Sequence, residues 1–237
     1  MNIVLLHPAE LPANGQVLLT ERRAEHIHRV IQPKPGDNLR VGVVNGQMGL
    51  AEVLHSTDKQ VALQVTLNQP APAPLPVTLL LAMPRPKVLR RLLQSITALG
   101  VKQIYLINSY RVEKSYWQTP FLEADDIQEQ LLLGLEQGRD TLLPEVHQRK
   151  RFKPFVEDEL PTLLKGKQGY LAHPTESALP CPSNQQHDSL LAIGPEGGFI
   201  AYEVEKLEQA GFLTISLGQR ILKVETAVPA LLSKLFL

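Results

Sequence analysis

Two hydrophobic rhythms divide the chain. In residues 61–67, Val61, Leu63, Val65 and Leu67 alternate with polar neighbours, the period of a strand buried on one face. Residues 39–44 form another apolar run that ends at Asn45-Gly46, a dipeptide suited to the left-handed backbone of a tight hairpin. One helix is predicted near residues 20–30, with Ala24, Ile27 and Ile31 on a common face. Residues 1–7 read as a first strand. Beyond residue 76 the rhythm changes to short apolar runs separated by helical patterns. Strands are predicted at 77–82, 104–108, 170–172, 190–193 and 213–217, and helices at 88–99, 127–135, 204–210 and 226–235, with Gly100 and Gly211 where helix caps belong. This alternation predicts an α/β domain with a mostly parallel sheet. Between the two regions, residues 68–76 interleave proline with small residues and form a stiff, extended connector. The predicted organisation is a small β-rich domain over 1–69, a proline-rich linker over 70–76 and the α/β domain over 77–237.

Composition narrows the function classes. The 237 residues are 43% hydrophobic, with 24 basic and 24 acidic residues in balance, so no global field draws the chain to nucleic acid or membrane. Any RNA affinity must come from local patches. Three basic groups qualify: Arg22, Arg23, His26, His28 and Arg29; Arg85, Lys87, Arg90 and Arg91; and Arg149, Lys150, Arg151 and Lys153. The second opens a helix whose Leu89, Leu92, Leu93 and Ile96 must face inward, which leaves its arginines available to phosphate. The third reads as a solvated face. Trp117 and Tyr116 suit either base stacking or rim packing. A single cysteine, Cys181, excludes a disulfide framework and a multi-thiolate metal site, and no metal is expected. With no basic lead-in or cleavage site at the amino terminus and no run of membrane-spanning length, a cytoplasmic protein without a membrane partner is expected.

The candidate chemistry lies in two glycine loops. The apolar run 190–193 leads into Gly194-Pro195-Glu196-Gly197-Gly198-Phe199, and one helix later the run 213–217 leads into Gly218-Gln219-Arg220-Ile221-Leu222-Lys223-Val224-Glu225-Thr226-Ala227. Either loop alone is ordinary turn chemistry. As a pair at the carboxyl ends of parallel strands they can face one another across a crevice, where open α/β sheets bind ligands. Dinucleotide, P-loop, nucleophile-elbow and zinc-protease signatures are all absent.

These two segments resemble the paired signature of the SPOUT (trefoil-knotted) RNA methyltransferases that make 3-methyluridine in small-subunit ribosomal RNA: Gly-Pro-Glu-Gly-Gly-Phe, a helix, then Leu-Gly-x-Arg-Ile-Leu-[Arg/Lys]-x-Glu-Thr-Ala. Residues 194–199 and 217–227 fit throughout. Residues 26–31 and 34–37, Leu99-Gly100-Val101, Arg111, residues 136–139 and Pro144 resemble further landmarks of that family. The resemblance implies a SPOUT α/β domain preceded by a PUA-like β-barrel, S-adenosylmethionine as cofactor, ribosomal RNA or the small subunit as partner, and a homodimer. The last helix, over 226–237, carries Val228, Leu231, Leu232, Leu235, Phe236 and Leu237, more apolar surface than one side of a terminal helix normally needs, so a dimer using this helix is expected. The resemblance also implies that His173, Gly194, Glu196, Gly198, Ser216, Leu217, Gly218, Arg220, Ile221 and Leu222 contact the cofactor, with Pro174 beside His173, and that Arg22, Arg23, His26, Arg29, Arg85, Lys87, Arg90 and Arg91 face RNA.

Uridine N3 carries a proton at neutral pH, so methylation there needs a base or a cation that favours the uridinate. Arg220 is the candidate for the developing negative charge, and Glu225 or Glu196 for the proton. Glu225 also sits where a helix dipole favours a carboxylate, and Arg220 could equally orient the loop through a salt bridge. Gln32, Ser95, Ala98 and Ile200 depart from the family pattern, Ile200 standing where a serine or threonine would cap a helix. Apart from uridine N3 methylation, methylation of another RNA nucleotide and RNA binding without turnover remain open.

Overall fold

A computed structural model describes residues 2–237, which fall into two compact units: residues 2–73 with 135–143, and 74–134 with 144–237. The first holds β1 (Val4–Leu6), β2 (Gln16–Thr20), α1 (Glu21–His26), β3 (Asn38–Val43), β4 (Met48–Ser56) and β5 (Gln60–Gln69). Its strands are ordered β1-β3-β4-β5-β2; only β1 and β3 run parallel. This mixed sheet curls as a half-barrel, hydrogen-bonded shut nowhere between β1 and β2 among the described residues. The alternation read in residues 61–67 is the inward face of β5, where Val61 and Leu63 are fully buried and Val65 nearly so against Val17, Leu19, Val41, Ala51 and Val53. Asn45 takes a left-handed φ of 58° and the Gly46 N–H reaches Val43 O at 2.7 Å, which closes the β3–β4 hairpin.

One helical expectation fails in detail. Ala24 and Ile27 are buried, but Ile31 is 39% exposed. Residues Ile27–Ile31 form a π-helical turn, whose wider winding rotates Ile31 off the face that a period of 3.6 would give it. Gln32 ends the turn in a left-handed conformation, its N–H on Ile27 O at 2.9 Å and its side-chain amide on Arg29 O at 3.2 Å. The residue that departs from the family pattern thus closes this helix.

The second unit holds β6 (Val77–Ala82), α2 (Pro86–Ala98), β7 (Gln103–Ile107), α3 (Ala124–Gly138, its last residues in the first unit), β8 (Glu145–Arg149), the short α4 (Phe152–Pro154) and α5 (Leu160–Leu164), β9 (Gln168–Ala172), β10 (Leu179–Pro180), β11 (Ser189–Ile193), α6 (Ala201–Gln209), β12 (Phe212–Ser216) and α7 (Val224–Phe236). Every strand pair is parallel, in the order β10-β12-β9-β11-β6-β7-β8. Strands β6 and β11 are buried along their whole length, as continuous apolar runs between helical layers must be. Gly100 and Gly211 adopt φ of 96° and 106° at the ends of α2 and α6, a conformation that a side chain would strain.

Strand β8 was not predicted: Glu145, Val146, His147, Gln148 and Arg149 contain one apolar residue, which is sufficient for a sheet edge where every side chain stays partly exposed. The last helix corrects a second expectation. Val228, Leu231, Leu232, Leu235 and Phe236, together more apolar surface than a terminal helix commonly needs, are buried within the chain itself, in part against α2, and only Leu237 is exposed. Among the described residues no helix is long and apolar enough to cross a membrane.

Candidate functional site

Because all seven strands of the second sheet point the same way, the loops after β9, β11 and β12 emerge at one edge. They enclose a cleft of about 610 Å³, within the range of small-molecule sites. His173 and Pro174 follow β9, residues 194–198 follow β11, and residues 216–223 follow β12 and run into α7. Every position proposed for cofactor contact lines this cleft, as do all three candidates for catalysis, Glu196, Arg220 and Glu225.

The glycines shape its walls. Gly198 and Gly218 take φ of 74° and 118°, which residues with a Cβ rarely adopt. A Cβ on Gly194 would lie 3.0 Å from the Phe199 nitrogen, so a side chain there would force the first loop to open by a few tenths of an ångström. In the second loop the Ser216 hydroxyl accepts from the Gly218 N–H and donates to its carbonyl, both at 3.0 Å, which fixes the turn entering residues 219–223.

The ionisable groups differ in how they are held. Arg220 is exposed and has no ion-pair partner among the described residues, so a salt bridge does not orient its loop. Glu225 is half-buried in the first turn of α7, where the helix dipole favours its carboxylate. Glu196 is exposed, and its Oε1 accepts the Arg85 N–H at 3.1 Å. That bond brings Arg85 to the cleft wall, and the Tyr116 hydroxyl bonded to the Arg85 guanidinium favours its charged form further. Burial pushes the His173 pKa below its usual value, with Arg111 adding to the effect and Glu208 opposing it. A neutral imidazole is therefore favoured beside Gly198.

Residues that sequence reading did not place in the site supply its frame. Arg111 donates to the Gly197 carbonyl and packs on Gly197, whose added Cβ would meet Arg111 Cδ at 3.0 Å. Glu203, only 3% exposed, accepts three hydrogen bonds: from the Ile200 N–H at 3.0 Å, the Ser109 hydroxyl at 3.0 Å and the Tyr110 N–H at 2.7 Å. It replaces the missing cap at Ile200 with half of a capping box and ties the loop after β11 to the turn after β7. An acidic residue three positions after a helix start was the available signal; its partners, some ninety positions away, were not visible.

Several basic residues assigned to RNA have partners of their own. Arg23 is bound through both terminal nitrogens to Glu10 and donates to Leu5 O at 3.0 Å, which fixes it inside the first unit instead of presenting it to phosphate. Arg29 pairs with Glu25 at 2.8 Å on an exposed face. Arg22 is exposed and His26 half-buried. Arg85, Lys87, Arg90 and Arg91 are all exposed, with the Arg90 guanidinium 4.7 Å from the centre of the Phe121 ring. In the third group Arg149 pairs with Glu159 at 2.6 Å and Lys153 lies 3.9 Å from Glu157. Trp117 donates its indole N–H to Asn108 at 2.9 Å, a bond compatible with either of its two readings. Cys181 is buried, and burial pushes its thiol up, which disfavours the reactive thiolate.

Comparison with known proteins agrees with this architecture. Residues 71–236 match the model of the RNA methyltransferase domain. The chain is 30% identical over 235 residues to ribosomal RNA small subunit methyltransferase E of Treponema pallidum, covering 97% of this chain and 88% of that one. To ribosomal RNA small subunit methyltransferase E 1 of Borreliella burgdorferi it is 25% identical, covering 97% and 95%. Its fold is similar to the crystal structure of ribosomal RNA small subunit methyltransferase E from Neisseria gonorrhoeae bound to S-adenosyl methionine, with a TM-score of 0.73 at 21% identity over 98% of this chain and 95% of that one. A SPOUT α/β fold, the two-loop cleft and full-length similarity converge: the chain belongs to the RNA methyltransferase domain family, with the ribosomal RNA small subunit methyltransferases E.

Proposed function

We propose that this protein methylates N3 of a uridine in small-subunit ribosomal RNA, using S-adenosylmethionine held in the cleft. The observation that carries the reading is the pair of glycine loops after β11 and β12, which line one cleft together with His173 and Arg220. Their donors and acceptors are mostly peptide groups brought close by glycine, chemistry that suits the edge of an adenine. A favoured neutral His173 adds no charge against a sulfonium. Bound there, S-adenosylmethionine supplies an electrophilic methyl group. Arg220, exposed and without an ion-pair partner among the described residues, is free to turn its guanidinium toward an anionic uracil. Glu225 is the proposed proton acceptor, half-buried at the cleft and without another partner among the described residues, whereas Glu196 is engaged by the Arg85 backbone and positions that wall.

The active form is proposed to be a cytoplasmic homodimer. Support now comes from the second loop, where Ile221 is 78% exposed beside the partly exposed Leu217 and Leu222, and no longer from α7. The test is incubation of the purified protein with ribosomal RNA or small subunits and methyl-labelled S-adenosylmethionine, followed by mass mapping of the product. Labelled 3-methyluridine at one site is expected. Absence of calorimetric binding at millimolar cofactor, or label on another atom, would refute the assignment.

A further inference from the structure

Tyr110 is the most exposed large aromatic side chain of the described residues, at 80%, yet its backbone N–H is held by the buried carboxylate of Glu203. It follows β7 in a turn closed by the Val112 N–H on Ser109 O at 3.0 Å. Ser109 and Val112 on either side are buried. The Tyr110 N–H and the Ser109 hydroxyl both end on the buried carboxylate of Glu203, and the next residue, Arg111, reaches across to the Gly197 carbonyl in the cleft wall. An aromatic ring left in water on such an anchored turn wants a partner from outside the chain.

Position and charge identify that partner. Strands β11, β6 and β7 are consecutive and parallel, so the turn bearing Tyr110 leaves the same sheet edge as the Gly194 loop, two strand spacings or roughly 10 Å away. The cations Arg85, Arg90 and Arg111 are exposed on the same unit. A nucleotide presented for methylation must leave its stack, and a neighbouring base then loses its own partner. An aromatic ring on an anchored turn, with cations on the same unit to meet phosphate, can restore that stack. Building on the methyltransferase reading above, we infer that Tyr110 stacks on the unpaired base next to the target uridine and so helps select the RNA strand. Glu203 acts as a positioning residue for that ring.

The test uses full-length protein and a small-subunit ribosomal RNA fragment that the wild type methylates, with 2-aminopurine substituted on either side of the methylated uridine. Wild-type protein should quench the probe at one of these two positions. Tyr110→Ala should weaken RNA binding at least about fivefold, the factor carried by the loss of one base–aromatic stack, and leave that probe bright. Tyr110→Phe and Tyr110→Trp should restore both, because the ring and not the hydroxyl is required. Cofactor affinity should be the same in all four proteins. If the wild type methylates while Tyr110→Ala binds RNA within about twofold of it or quenches the probe equally, the stack is refuted and the methyltransferase reading stands. A Phe variant as weak as the Ala variant would also refute it. A wild type that methylates no RNA overturns the reading beneath and the stack with it.

Discussion

Replacing Glu203 tests whether one buried carboxylate holds the cofactor loop and the turn after β7 together. Its Oε2 accepts from the Ile200 N–H and the Ser109 hydroxyl, and its Oε1 from the Tyr110 N–H, at 2.7 to 3.0 Å. Both Glu203 and Ser109 are 3% exposed, so water cannot replace the lost acceptor without opening the structure. Hydrogen bonds to an ionised group contribute about 1.5–3 kcal/mol each, and three that share one acceptor group do not add fully. For Glu203→Ala a loss of about 3–5 kcal/mol is expected, a large part of the usual stability of a domain. Glu203→Gln keeps the shape and one acceptor, but its amide nitrogen must face a donor, and about 1–3 kcal/mol should be lost. Urea unfolding with the slope checked for constancy measures both. Cofactor affinity should fall along with stability, because Ile200 follows directly on the loop containing Gly198. An alanine variant within about 1 kcal/mol of wild type, or equal to the glutamine variant, would show that the three bonds do not act as described.

Three further outcomes are expected. Changing Arg90 and Arg91 together to alanine should lower the salt slope of RNA binding by roughly 1–2 units and leave cofactor affinity unchanged, since a guanidinium stacked on Phe121 keeps its in-plane donors for phosphate; an unchanged slope would remove both from the RNA surface. Arg220→Ala should reduce turnover at saturating RNA far more than RNA affinity, and normal turnover would shift the charge-stabilising role elsewhere. His173 has a native pKa held below its ordinary 6.5, so the unfolded chain binds more protons in the window between the two values. Its contribution to stability should be present above pH 6.5 and be lost as pH falls through the depressed native value. In urea melts from pH 7.5 to 5, wild type should lose stability relative to His173→Gln, and parallel profiles would contradict the shift.

Much of the second unit was legible because its strands are buried on both faces, and such strands appear as plain apolar runs, as in β6 and β11. The elements that escaped lie where burial is partial or winding is irregular. Strand β8 carries a single apolar residue, and the π-helical turn at Ile27–Ile31 changes which side chains share a face without changing composition. The apolar content of α7 was read correctly, but its partner was not: the helix is covered by its own chain.

The site divides along the same line. Gly198 and Gly218 impose local backbone conformations, and the cleft they help to line collects every residue assigned to the cofactor. A loop defined by φ angles and close approach is written into consecutive residues. Side-chain assignments depend on partners that only folding brings together. Arg23 looked like Arg22 and Arg29 in a basic cluster until Glu10 and Leu5 claimed it, and the Ile200 departure looked like a missing cap until Glu203 supplied an acceptor. Glu203 could not be singled out, since two of its three donors come from Ser109 and Tyr110 on another strand's loop. The same pairing joins the glycine loops to the turn after β7, where Arg111 resembles a family landmark and Tyr110 does not. If Tyr110 stacks on RNA as inferred, substrate choice can change at that turn while the glycine loops keep their sequence.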